Sequence, residues 1–261
     1  MTSLKTTLIA AAALLALPGF ALAGVVVFDD GTFDPANYSD TTVFTSGVGT
    51  TINADQCAAC GDPGQALQIL ISFPGGAASA AQGYVNNTFS YDPLTQGAIT
   101  ALDASVDKDT TFNPAPTGTL TSTFRPLIEQ GGNFYLAAIP VTAAFTGGTT
   151  GYVTASGSGL TASSFVEYDF STGAFGSGNP NFAGGPLLFG VAQISSDNLP
   201  EALEVDYDNL NLTLTTAAVP EPATWAMMLV GCGGIGAAMR SRRKRAGPSA
   251  FAHPAATAAL S

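Results

Sequence analysis

The 261-residue sequence predicts an all-β body, a sandwich or closed barrel, on three observations. Short runs rich in β-branched and aromatic residues recur along it, separated by breakers such as Gly75-Gly76, Asp92-Pro93, Asn113-Pro114, Gly131-Gly132, Gly147-Gly148 and Gly184-Gly185-Pro186. No stretch between the two chain ends carries a convincing helical period. The spacing of the runs is irregular and without repeat, which argues against a propeller or β-helix. Many short strands joined by Gly/Pro turns bury their apolar faces by stacking two sheets or closing one.

The chain begins with a stretch that reads as a secretory signal, residues 1–23. Lys5 supplies the positive start, Leu8 to Leu17 the apolar core, and Pro18-Gly19 the helix break before Ala21-Leu22-Ala23. Small residues at 21 and 23 fit a signal peptidase pocket, leaving Gly24 as the new N-terminus. The residue directly after the cleavage point is Gly24 and not Cys, which excludes a lipoprotein, and the apolar core is too short for a retained anchor. The translocon and the signal peptidase are the partners implied.

Residues 24–216 form one body, ample for a single core. Strands are predicted over 25–28, 41–53, 66–73, 83–91, 98–107, 119–129, 134–139, 152–156, 164–170, 187–194 and 205–215. Leu67, Ile69, Ile71 and Phe73 alternate with Gln68, Leu70 and Ser72, as in a strand buried mainly on one face. Over Ile99 to Val106 the alternation is looser and accommodates a bulge. Several pieces taken in order resemble concanavalin-like jelly-roll sandwiches of bacterial surface proteins. They are Phe28-Asp29-Asp30-Gly31, Gly64-Gln65-Ala66-Leu67-Gln68-Ile69, Phe89-Ser90-Tyr91-Asp92-Pro93 and Ala98-Ile99-Thr100. Gln130-Gly131-Gly132-Asn133-Phe134-Tyr135, Tyr168-Asp169-Phe170-Ser171 and Asp206-Tyr207-Asp208-Asn209-Leu210 complete the series. The resemblance implies a fold that often binds carbohydrate, and it names no ligand.

The formal charge of −11 hides an asymmetry. Within the body only Lys108 and Arg125 stand against eighteen Asp and Glu, a net of −16 (2 − 18). Such a surface repels phosphate backbones and anionic lipid, which excludes nucleic acid as a partner and keeps the body off a membrane. Cation binding and solubility in an extracellular matrix fit it.

Cys57 and Cys60 form a C-x-x-C, but Gly61, Pro63 and Gly64 follow at once, so no helix starts there to lower a thiol pKa. Zinc would need two further ligands, and the sole His, His253, lies in the tail. A disulfide pinning a loop is the expectation for an exported chain, with Cys232 left without a partner. The body has no His, which excludes Ser–His and Cys–His catalysis. Glu204, Asp206 and Asp208 alternate on one strand face and resemble the Glu-x-Asp-x-(x)-Glu of laminarinase-type glycosidases, with Asp208 where that family has Glu and no Trp in the body. Leu210, Leu212 and Leu214 continue the same parity, so either a bulge near Asp208 flips the face or the acids precede the sheet. The expectation is that they stay wet, form no proton-sharing pair and catalyse nothing. Asp29, Asp30 and Asp34, or Asp206 and Asp208, offer oxygens that Ca²⁺ would accept, but neither spacing is that of an EF-hand. No metal site and no cofactor are therefore expected. Tyr84, Tyr91, Tyr135 and Tyr152 are candidates for sugar stacking or for the β-core.

The tail begins Val219-Pro220-Glu221-Pro222-Ala223-Thr224-Trp225, runs without charge to Met239, and closes on Arg240-Ser241-Arg242-Arg243-Lys244-Arg245. Pro220 and Pro222 keep the backbone extended, with Glu221 solvated between them. A helix over 223–239 would span roughly 25 Å, the short end of what crosses a bilayer. Trp225 stands where an interfacial aromatic belongs, and Arg240, Arg242, Arg243, Lys244 and Arg245 form a cytoplasmic stop. In order, residues 219–245 resemble the PEP-CTERM sorting signal of Gram-negative bacteria in its Trp-Ala variant. The resemblance implies cleavage at Pro220-Glu221-Pro222 by an exosortase, transient anchoring in the inner membrane and delivery to the surface or medium. Residues 246–261 are expected to be a disordered extension. The chain thus reads as an exported surface or matrix protein, non-catalytic and carbohydrate-binding, with extracellular polysaccharide as partner. The alternatives are a laminarinase-type hydrolase and an ice-binding adhesin. The isolated Thr119-Leu120-Thr121-Ser122-Thr123 lacks the regular ladder the adhesin needs.

Overall fold

Alternation of apolar and polar residues, cut by turns, is realised as antiparallel ladders throughout. The computed structural model describes residues 23–113, 121–137, 151–218, 229–235 and 240. The strands described are β1 (Val25–Asp30), β2 (Tyr38–Asp40), β3 (Phe44–Ser46), β4 (Thr51–Gly61), β5 (Gly64–Pro74), β6 (Ala78–Tyr91) and β7 (Ile99–Asn113). They continue with β8 (Thr121–Gln130), β9 (Asn133–Ala137), β10 (Val153–Leu160), β11 (Phe165–Asp169), β12 (Ala174–Phe175), β13 (Leu187–Asp197) and β14 (Pro200–Thr216). Sheet A has the order β10-β7-β14-β5-β4, with β1 also on β14; sheet B has the order β12-β11-β9-β8-β13-β6-β2, with β3 also on β6. The all-β sandwich expected from the sequence is what forms.

Strand limits differ from the expectation where a turn or a pairing partner decides them. The predicted strand 41–53 is two strands, because Gly47 and Gly49 take φ of 85° and 86° and turn the chain between β3 and β4. β4 then runs through the cysteines to Gly61, where a loop was expected. β14 starts at Pro200 rather than Val205, since Pro74 to Leu67 of β5 supply a ladder for Pro200 to Tyr207. β7 extends to Asn113, paired with Ala202. The looseness near Ile99 is a slip in register opposite Thr215 and Thr216.

The core lies between the sheets. Leu203, Val205 and Tyr207 of β14 face inward with Ile69 and Ile71 of β5, and with Val106 and Phe112 of β7. Phe124, Ile128, Phe189 and Val191 of sheet B meet them. Burying each such side chain contributes about 1.5–3 kcal/mol. A second cluster covers the outer face of sheet B, where Tyr168 and Phe170 pack on Ala81, Val85, Leu127 and Ala192. Polar groups also enter the interior. The Lys108 Nζ donates to the carbonyl and Oγ of Ser122 at 2.9 and 2.8 Å, bridging the sheets. Gln193 Nε2 donates to Ser122 Oγ (2.9 Å) and Ser195 Oγ (2.6 Å), and the Tyr207 hydroxyl donates to Gln193 Oε1.

The described residues between Leu22 and Val219 form one compact unit. The predicted signal up to residue 22, the residues Pro220, Glu221, Pro222, Trp225, Arg242, Arg243, Lys244 and Arg245, and the extension 246–261 lie outside the described residues. Of the predicted membrane-crossing helix 223–239, residues 229–235 are described, helical and exposed. Among the described residues no helix is long and apolar enough to cross a membrane.

Candidate functional site

β14 has partners on both sides, so its outward residues stand in the middle of the outer face of sheet A. Between Asp208 and Asn211 its register against β7 slips, and Asn209 takes φ 51°. Asn tolerates this left-handed conformation, and the extra residue reverses the parity of the strand. Val205 and Tyr207 face the core before the bulge, and Leu210, Leu212 and Leu214 after it. Glu204, Asp206 and Asp208 are therefore outward, as the bulge alternative required.

They are not at a wet edge. Asp206 is 7% exposed and Asp208 1%, because strands on both sides and an overlying hairpin crowd them. Gln68 and Asp109 flank Asp206 in the ladders, and Asp107 flanks Asp208. Gln68 Nε2 donates to Glu204 Oε1 at 3.0 Å. Burial, and then the neighbouring Glu204, raise the Asp206 carboxyl from 3.8 to about 7, while Asp206 Oδ1 has no hydrogen-bond partner among the described residues. This corrects the expectation that the acids stay wet and form no proton-sharing pair. The carboxylate of Asp208 is committed to structure, accepting from the Asp62 and Asn209 backbone N–H groups at 2.6 and 2.7 Å. Asp107 accepts from Thr154 Oγ1 (2.6 Å) and Asn209 Nδ2 (3.0 Å).

The hairpin of β4 and β5 closes over this acidic patch. Cys57 and Cys60 are joined, as expected, and the bond spans a slip in the β4–β5 register between Cys57 and Gly61 rather than a free loop. A Cβ at Gly61 would run into the Gln65 carbonyl and the Asp208 carboxylate, so the close approach requires glycine. From the other side the Tyr152 hydroxyl donates to the Cys60 carbonyl. Burial, and then Asp206 and Asp208, push that hydroxyl well above its ordinary range. Tyr152 is half-buried, whereas Tyr84, Tyr91 and Tyr135 are buried among core residues.

Beside the patch a groove of about 300 Å³ crosses four strands, lined by Thr51, Asn53, Leu70, Ser72, Thr111 and Glu204. Leu70 is 45% exposed there. Sequence reading missed the groove except for Glu204. Its residues are ordinary outward positions of distant strands, and only their alternation signalled which face they share. The early acids serve structure: Asp30 Oδ1 accepts from the Thr32 and Phe33 N–H groups, and Asp34 caps a short turn through the Ala36 N–H. Among the described residues no three His, Cys, Asp or Glu side chains gather as a metal-holding group.

Residues 218–244 match the PEP-CTERM protein-sorting motif, which implies export, surface association and processing by an exosortase. No curated protein matches the chain. The solved structures similar to it include TmCBM27, a carbohydrate-binding module described for specific mannan recognition. That module is 15% identical, with 74% of this chain and 100% of that one covered and a TM-score of 0.35. Another is the CBM22-1 xylan-binding domain of Paenibacillus barcinonensis Xyn10C, 14% identical, covering 73% and 95%, with a TM-score of 0.29. A third is the CBM22-1–GH10 portion of Clostridium thermocellum Xyn10B, crystallised with xylohexaose, 12% identical, covering 68% and 27%, with a TM-score of 0.31. Likeness at this level assigns no ligand to this chain.

Proposed function

We propose that this chain is an exported surface or matrix protein with a concanavalin-like jelly-roll body that binds uncharged polysaccharide in the groove across sheet A and does not cleave it. In this reading the signal peptide passes it to the translocon, and the span 223–239 holds it in the inner membrane until the exosortase acts at Pro220-Glu221-Pro222. The observation that carries the binding assignment is the groove lining. Thr51, Ser72 and Thr111 offer hydroxyls, Asn53 an amide, and Glu204 a carboxylate steadied by Gln68, around the apolar surface of Leu70. Sugar hydroxyls need such mixed donors and acceptors, and the C–H face of a ring packs on exposed aliphatic surface. The body charge of −16 (2 − 18) disfavours uronate or sulfated chains.

The test is a glycan panel followed by calorimetry. Asn53→Ala with Thr111→Ala should weaken the best neutral ligand about tenfold with an unchanged melting temperature. A parent protein that binds no glycan, or a variant that binds equally well, overturns the assignment.

One observation favours a second reading, a glycan hydrolase: Asp206 is held at about 7 beside Glu204, as a general acid near neutrality requires. Against it, the third acid of the row, Asp208, is spent on the Asp62 and Asn209 N–H groups and does not complete the laminarinase-type set. Release of reducing sugar from a β-glucan by the parent, abolished in Glu204→Gln, would establish this reading over binding alone.

A further inference from the structure

The two sheets leave a cleft at the side where their edge strands β2 and β4 end the layers. It has a volume of about 310 Å³ and is lined by Phe33, Tyr38, Asp40, Asp55, Gln56 and Tyr84, among others. It lies between the sheets, whereas the groove described above lies on the outer face of sheet A, and the two share no residue.

One wall is held rigid. The Tyr38 ring stacks on Phe33 with centroids 5.5 Å apart and planes at 22°, and its hydroxyl donates to Asp30 Oδ2 at 2.9 Å. The same oxygen accepts from Asn86 Nδ2 at 3.3 Å. Asp40 is the cross-strand partner of Tyr84, so the two side chains emerge on one face. Tyr84 is 2% exposed, feels the charge of Asp40, and has a buried hydroxyl with no hydrogen-bond partner among the described residues. Leaving such a group unmet is costly, so it marks where a ligand atom is accommodated. Gln56 spends both amide N–H groups, on the Thr32 carbonyl (2.6 Å) and on Gln65 Oε1 (3.0 Å). Its amide oxygen is left as the acceptor.

The cleft is therefore rich in acceptors. Asp40 and the Gln56 oxygen stand against one buried hydroxyl donor, with aromatic walls and no Lys, Arg or His among the lining residues, while Asp55 at the rim accepts from the Gln56 backbone N–H at 2.8 Å. Aromatic faces and the unpaired Asp40 carboxylate together select a cation that carries several donors. A cleft of this size is at the small end of ligand sites and suits one or two sugar rings. We propose that this cleft is a second ligand site, selective for amino sugars with a free, protonated amine. The amine sits against Asp40 and the Gln56 oxygen, a ring face lies on Tyr38, and a hydroxyl meets Tyr84.

The test is calorimetry on the full-length protein in mild detergent, at about 150 mM salt to screen general attraction to the acidic surface. The probe is a deacetylated glucosamine trimer, compared with the N-acetylated trimer and a neutral glucose trimer. The expected result is binding of the deacetylated trimer about tenfold tighter than either comparison. Asp40→Asn should abolish that preference, and Tyr84→Phe, which keeps the ring, should weaken it about threefold without lowering the melting temperature. Neither change should alter neutral-glycan binding in the sheet A groove. No binding of the deacetylated trimer, equal binding of the N-acetylated one, or a preference that survives Asp40→Asn would overturn the proposal. Those results would leave the groove assignment standing.

Discussion

Lys108→Met should make the protein more stable near pH 6 and lose that advantage by pH 10. The Lys108 ammonium is buried between the sheets with Ser122 as its hydrogen-bond partner, and burial lowers its pKa from 10.5 to about 7. Below pH 7 the lysine is charged in both folded and unfolded chains, so the folded state carries the whole cost of desolvating it. Between about 7 and 10.5 the unfolded chain binds a proton that the folded chain does not, and stability rises with pH. At about 1.36 kcal/mol per pH unit the span is worth up to about 5 kcal/mol. Met conserves the length and apolar stem but forfeits two hydrogen bonds, a loss of about 1 kcal/mol each. The variant should therefore gain about 2–3 kcal/mol at pH 6 and lose about 1–2 kcal/mol at pH 10. Urea unfolding of parent and variant at pH 6, 8 and 10, with comparable m-values, reads the difference directly. A stability difference that stays constant with pH would refute the argument, because it would mean that Lys108 keeps its ordinary pKa in the fold.

Two further outcomes follow from other sites. The raised Asp206 carboxyl makes the folded state bind a proton that the unfolded chain releases, so its contribution falls as pH rises from about 4 to about 7. Asp206→Asn should stabilise by about 1–2 kcal/mol at pH 8, after allowance for solvent screening, and change little at pH 4; thermal melts at both values check the sign. In the tail, Glu221→Ala with Pro222→Ala should leave a full-length precursor in the membrane fraction, seen by immunoblot, and equal release of parent and variant into the medium would count against exosortase processing.

The acid row shows where sequence reasoning stopped. Alternation placed Glu204, Asp206 and Asp208 on one face and identified the conflict with Leu210, Leu212 and Leu214, but it left two resolutions open. The Asn209 bulge chose one. Burial of Asp206 then came from β5, β7 and the disulfide-closed hairpin, none of which is near it in the chain. Lys108 was more legible than it looked. It shares parity with Leu102, Ala104, Val106 and Phe112, but a strand ended at residue 107 hides that it points inward.

The sequence by itself determined what depends on neighbours along the chain. The β character came from alternation, the turns from Gly and Pro, the Cys57–Cys60 bond from spacing and compartment, and the sorting motif from its order of residues. Tertiary structure decided everything that depends on which strands become neighbours. The edge cleft draws on residues 33–40, 54–56 and 84, and the groove on β4, β5, β7 and β14. The physical reason is that a strand fixes the direction of its side chains by local geometry, whereas solvent, field and hydrogen-bond partners are set by ladders that close over long loops.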